Sequence, residues 1–206
     1  YSGTITKEYD GTTTCNVKAV TAKKASVFDQ DVTVSGTAVY DKKGTDATKV
    51  TFTADGITEG NYRLEKGTSL DIDASITATD KYSTDAGKYH MQNVVKGIGT
   101  FEEPAFISEF KEVVAGTFKF TYKTQETTKD AIINDLKGKS AGETASIGYT
   151  FTPSDANYTG TKTGNITVNM IDIEFKVGDE AASAANAVTV KNAAPVYGIK
   201  WSDIVA

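Results

Sequence analysis

Short runs in which apolar and polar residues alternate recur along much of the chain, and they predict strands. From Asp31 the sequence sets Val32, Val34, Ala38 and Tyr40 against Thr33, Ser35 and Thr37, the two-residue period of a half-buried strand, with Gly36 as a candidate bulge. Before it, residues 4–9 form a strand-like run that turns at Asp10-Gly11, and a second run covers residues 12–20. Val50, Phe52 and Ala54 continue the pattern, followed by runs at residues 61–64 and 70–76. After Thr77 the spacing predicts a hairpin with residues 85–91 as its returning strand, then strands at 97–101 and 116–122. Phe118, Phe120 and Tyr122 share one face of the last of these, and Pro104 falls in the loop between the two, where a missing N–H is tolerated.

One segment departs from this period. Ile132, Ile133 and Leu136 recur at helical spacing, Thr128 can cap the start, Asp130 lies near the positive end, and Gly138 stands between Lys137 and Lys139 at the close. The spacing predicts a helix over 128–138 that crosses over as a lid on a sheet core.

A strand–turn–strand phrase is written twice. Thr51-Phe52-Thr53 leads to Asn61-Tyr62 and then to the run from Gly67 to Ile72; Thr150-Phe151-Thr152 leads through Pro153-Ser154-Asp155 to Asn157-Tyr158 and then to Gly164-Asn165-Ile166-Thr167-Val168. The echo predicts two modules in tandem, with Asn-Tyr as the closing clasp of each. The expected boundaries are 1–77, 78–177 and 178–206, the last being a linker with the start of a further repeat or a strand packing back. The expected class is mainly β: tandem immunoglobulin-like β-sandwich modules with one short crossover helix. A β-grasp-like set of two hairpins around the helix is the alternative for the second module.

The totals narrow the function classes. A chain of 206 residues is long enough for two modules with real cores, and its net charge of -5 is spread along the chain with Arg63 as its one arginine. No basic stripe is present to neutralise phosphates, which argues against nucleic acid. Cys15 is the sole cysteine, so no disulfide forms within the chain; this points to an intracellular protein or to a bacterial surface protein that manages without one, and the Thr-rich, all-strand composition favours the second. No apolar run is long enough to insert in a membrane as a helix, and the chain is expected to be an excised part of something longer.

Lys7-Glu8-Tyr9-Asp10-Gly11-Thr12-Thr13, followed by Asp31-Val32-Thr33-Val34, Tyr40, Gly56, Gly60-Asn61-Tyr62-Arg63-Leu64 and Ala74-Ser75-Ile76-Thr77, resembles the YDG repeat of bacterial surface adhesins and filamentous haemagglutinin-like proteins. The resemblance covers about the first third, with Cys15 and the stretch 19–29 departing from it. It implies a repeated stalk or adhesive module outside a bacterial cell and brings no catalytic residues. The stretch from Gly148 to Tyr158 with Ile166-Thr167-Val168 resembles the closing hairpin of bacterial immunoglobulin-like surface repeats, and the stretch from Ala194 to Ile204 resembles the opening of another.

Candidate chemistry is sparse. His90 is the only histidine, which excludes a histidine-rich metal site, and it reads as a rim side chain on a strand. Cys15 with His90 would be a nucleophile and base, but Cys15 sits in a Thr-rich run without a nucleophile motif and reads as a buried structural thiol. Asp71 with Asp73, and Glu8 with Asp10, fall on common faces without the spacing of a calcium loop, so they read as solvated carboxylates. A Lys–Asn amide staple is a further option whose partners spacing does not identify. Asn157 and Asn165 match the glycosylation pattern only incidentally in a bacterial host. Tyr82, Tyr197 and Trp201 have no assigned structural role and are the candidate ligand-contact residues.

The expectation is therefore a non-enzymatic stalk or adhesive segment of a secreted bacterial cell-surface protein, with a carbohydrate-binding module as the alternative. No catalytic residue, metal or cofactor is expected. The expected partners are a host glycan or protein, or neighbouring repeats, with the chain itself a monomer.

Overall fold

The computed structural model describes residues 3–23, 31–57, 63, 68–173, 176–177 and 180–181. In chain order the elements are β1 (Ile5–Glu8), β2 (Ala19–Lys23), β3 (Asp31–Tyr40), β4 (Lys49–Ile57), β5 (Ser69–Thr77), β6 (Tyr82–Thr84), α1 (Ala86–Tyr89), β7 (Met91–Val95), β8 (Phe106–Ser108), β9 (Gly116–Tyr122), β10 (Gln125–Thr127), α2 (Lys129–Lys137), β11 (Thr144–Pro153), β12 (Lys162–Ile171), β13 (Lys176–Val177) and β14 (Glu180–Ala181). The protein is mainly β, with several sheets, as the alternation predicts.

Two compact units form, and neither is contiguous in sequence. The first takes Tyr1–Ser83, Phe106–Thr117 and Thr152–Thr161; the second takes Thr84–Ala105, Phe118–Phe151 and Lys162–Ala206. The hairpin at 106–117 and the segment 152–161 fall in the first unit, alongside the span 1–77.

The first unit is built on a five-stranded sheet in the order β1-β5-β4-β3-β2. Strands β2 to β5 pair antiparallel, while β1 lies parallel to β5, with Ile5 opposite Ala74 and Glu8 opposite Thr77. Val32, Val34, Ala38, Tyr40, Val50, Phe52, Ile72, Ala74 and Ile76 are buried, so the predicted period holds across three strands. The β3–β4 register shifts between Ser35 and Gly36, where the bulge is expected. A second, two-stranded sheet pairs β6 with β8.

The second unit centres on a sheet in the order β10-β9-β11-β12-β7. β9–β10 and β11–β12 are antiparallel hairpins with α2 between them in the chain, and β7 lies parallel to β12, with Met91 opposite Thr167. Two hairpins about a helix were the alternative for this module; the parallel edge strand is an addition to it. Helix α2 begins and ends where its caps dictate: the Thr128 hydroxyl accepts from Ala131 N, Asp130 lies in the first turn, and Gly138 is the C-cap. Ile132 and Leu136 are fully buried. Tyr122 Oη and Lys123 Nζ donate to Asp135 at 2.8 and 2.6 Å, fastening the helix to the β9–β10 turn. Thr128→Ala is expected to cost about 1 kcal/mol, read as a lower urea midpoint with an unchanged slope.

Among the described residues, two predicted strands are absent. Residues 85–91 open as α1, because the Asp85 carboxylate accepts from Lys88 N and caps a helical turn; only Met91 begins a strand. At residues 97–101, Gly97 and Gly99 adopt φ of 81° and 71° in a turn after β7. Of the run 12–20, only Ala19 and Val20 lie in β2, with Thr14 forming an isolated bridge to Val39.

Candidate functional site

Tyr9, the tyrosine of the Tyr-Asp-Gly trio, stands one residue beyond β1. Its N–H donates to Thr77 O at 2.8 Å, which extends the parallel pairing and turns the ring inward, leaving it 3% exposed. The turn after it is set by Asp10, whose Oδ1 accepts from Thr12 N at 2.9 Å, and by Gly11 at φ 73°. Lys7 fills this turn: Nζ donates to Asp10 Oδ1 and Thr12 O at 2.7 Å each and to Thr14 O at 3.1 Å, and lies 5.0 Å above the Tyr40 ring. Burial works to raise the Asp10 carboxyl pKa, but the bonds from Lys7 and Thr12 hold it below the usual value.

Glu112 is placed by the tight hairpin that follows β8. Ser108 N donates to Glu112 O at 2.9 Å, the Ser108 hydroxyl accepts from Glu112 N at 3.1 Å, and Lys111 takes up φ 67°. Glu112 Oε2 then accepts from two phenols, Tyr9 Oη at 2.8 Å and Tyr158 Oη at 3.0 Å, while Oε1 meets Lys43 Nζ at 3.4 Å. The bond from Tyr9, with that from Tyr158, holds the carboxyl below its usual pKa against the opposing effect of burial. Burial first, and then the bond to Glu112, pushes the Tyr9 hydroxyl up.

Tyr158 is 5% exposed and packs edge-to-face on Tyr9 (5.5 Å, 79°) and on Tyr82 (5.9 Å, 82°). Its backbone is pinned on both sides, since Thr79 N donates to Asn157 O at 3.0 Å and Thr159 N donates to Thr79 O at 2.9 Å. Asn157 Oδ1 accepts from Thr45 N at 2.8 Å, and Asn157 N donates to Asp155 Oδ1 at 2.9 Å. Asn157-Tyr158 is thus a clasp, as the echo predicts, but it closes the first unit rather than the second. Its counterpart Asn61-Tyr62 lies outside the described residues.

The other sequence candidates separate. Tyr82 is 5% exposed, packs on Phe106 and donates through Oη to Gly160 O at 2.9 Å, so it is a core residue and not a contact surface. Tyr197 and Trp201 lie outside the described residues. Cys15 is buried in the first unit. His90 belongs to the second unit, where it is the C-cap of α1 rather than a strand residue, and its Nε2 lies 2.7 Å from Tyr149 Oη. Asp71 and Asp73 share the outer face of β5; Asp71 pairs with Lys49 Nζ at 2.8 Å and accepts from Thr51 Oγ1 at 2.7 Å. Glu8 turns to Lys81 and Thr79, away from Asp10's partners. Among the described residues no group of three His, Cys, Asp or Glu side chains is placed to hold a metal ion. The residue that sequence reasoning missed is Glu112, whose local sequence Lys111-Glu112-Val113 carries no signal; its partners are distant in the chain.

No protein-family model matches the sequence, and no curated protein matches it. Among solved structures, the titin Ig tandem domains A164-A165 align with a TM-score of 0.32 and 10% identity, over 61% of this chain and 63% of that one.

Proposed function

We propose that this chain is a non-enzymatic stalk or adhesive segment of a secreted bacterial cell-surface protein. The observation that supports this reading best is the pairing of the first strand in each unit with the last strand of its main sheet: β1 lies parallel to β5, and β7 lies parallel to β12. Tension applied to the start of the first strand and the end of the last slides a parallel pair lengthwise. Every hydrogen bond between the strands then resists together, whereas strands pulled apart from one shared end break their bonds in succession. Lys96 N to Ile171 O at 2.9 Å adds a rung to the second pair, as Tyr9 N to Thr77 O does to the first. A module drawn out between a cell and its target needs that geometry. A glycan platform has less support, since Tyr82 is in the core.

Single-molecule stretching tests the reading in a Cys15→Ser background. Handles at Met91→Cys and Asp172→Cys load β7 against β12 in shear, and handles at Met91→Cys and Thr167→Cys, the residue opposite Met91, peel the same pair from one end. The shear geometry is expected to give an unfolding force several-fold above the peeling geometry, and equal forces would remove the support for a tension-bearing role.

A further inference from the structure

We propose that Tyr9 and Tyr158 are a site of oxidative tyrosine–tyrosine coupling, with Glu112 as the proton acceptor that selects this pair. Both hydroxyls converge on one carboxylate oxygen, Glu112 Oε2, at 2.8 and 3.0 Å, so the phenol ends of two residues far apart in the chain are brought together. Their rings meet edge-to-face at 5.5 Å, and the outer torsion of each ring, about which the carbons beside the hydroxyls turn, is a soft one.

The chemistry needs a one-electron oxidant acting twice, such as a peroxidase intermediate formed from hydrogen peroxide. Each tyrosine gives up one electron and its phenolic proton. Burial raises the pKa of both hydroxyls, so neither proton departs ahead of the electron, and a carboxylate already hydrogen-bonded to it takes the proton as the electron leaves. The Glu112 side chain is 36% exposed and hands that proton to water before the second oxidation. The two ring radicals form one carbon–carbon bond between positions ortho to oxygen; two ring C–H protons are lost and both phenols are restored. The net change is the loss of two protons and two electrons, which reduce one hydrogen peroxide to two waters.

Tyr82 supplies an internal control. Its ring is 5.9 Å from that of Tyr158, but its hydroxyl donates to the Gly160 carbonyl, which cannot hold a proton. In a chain with one cysteine, the product would be a covalent staple between the end of β1 and the 152–161 segment.

The test exposes the dilute full chain to light with a ruthenium tris-bipyridyl photo-oxidant and persulfate, then measures intact mass, dityrosine fluorescence and the linked peptides. A monomer lighter by two hydrogens, with the link mapped to residues 9 and 158, is expected in the wild type and in Tyr82→Phe. Tyr9→Phe and Tyr158→Phe should lose it, and Glu112→Gln should lower its yield several-fold while circular dichroism remains that of the wild type. A link mapped to other tyrosines, coupling only between chains, or no coupling in the folded wild type overturns the proposal. An undiminished yield in Glu112→Gln overturns the role of the carboxylate.

Discussion

Gly36→Ala is expected to unfold the main sheet of the first unit under conditions where the wild type is stable. A β-carbon at this position would lie 2.3 Å from Thr53 O and 2.5 Å from Phe52 Cζ, both closer than real contacts allow. The Phe52 ring is itself 1% exposed, and protein interiors are close-packed. The carbonyl belongs to the β4 backbone, in register beside the bulge, so relief requires separating β3 from β4. Overpacking of this kind costs typically 1–3 kcal/mol, and a backbone obstacle puts this case at about 3 kcal/mol or above. The second unit offers a contrast at Gly164, opposite Tyr149, where the obstacle is a side chain, with Tyr149 Oη at 2.5 Å. Gly164→Ala should therefore cost less, because each close obstacle is an atom of the Tyr149 side chain rather than of the backbone, although the ring is 4% exposed and its shift gives up the bond to His90. Urea midpoints rank the two variants, and hydrogen exchange assigns the loss: β3 and β4 amides should lose protection in Gly36→Ala. A wild-type midpoint for Gly36→Ala would show that the sheet absorbs the added methyl group.

How much of this was legible depended on whether the deciding contact was local. The strand from Asp31 to Tyr40, its bulge at Gly36 and the helix capped by Thr128 and Gly138 follow from neighbours a few residues apart, and each stands as expected. The aromatic face of β9 does so too, with Phe118 stacked on Phe120 at 5.8 Å. Asp85 was legible in principle, since Asp is a favoured N-cap residue, but the tyrosine and methionine beyond it suggested a strand. The parallel pairing of β1 with β5 was not legible. Parallel strands are joined by long connections rather than by a turn that sets register, so no short motif announces them. The partners of Asn157-Tyr158 were illegible for the same reason: Thr45, Thr79, Glu112 and Tyr9, which hold it in the first unit, are remote in sequence. The lone carboxylate that joins the tyrosines had no local pattern to reveal it.

That dependence on one carboxylate sets the second large effect. Tyr158→Ala should cost about 3–5 kcal/mol, the range for deleting a buried aromatic ring, because it opens a cavity against Tyr9 and Tyr82 and takes one of two phenols from Glu112. Tyr158→Phe keeps the ring and should cost about 1.5–3 kcal/mol, the range for one hydrogen bond to a charged group. The same cluster gives the first unit an acid-sensitive component. The folded pKa of Glu112 is depressed below its ordinary 4.5 by the bonds from Tyr9 and Tyr158, so its ionised form is stabilised by folding. The contribution is full above the ordinary pKa and fades as pH falls through the lower folded value, where protonation leaves the phenols a poorer acceptor. Asp10, also depressed, adds to the same slope from the neighbouring turn. In Glu112→Gln the Glu112 component is missing at every pH, so the variant should be less stable than the wild type at neutral pH and the two should converge in acid. Melting curves of both proteins, taken from neutral pH down through the carboxylate range, decide the matter: a gap that stays constant with pH would mean that the Glu112 charge contributes nothing to the clasp.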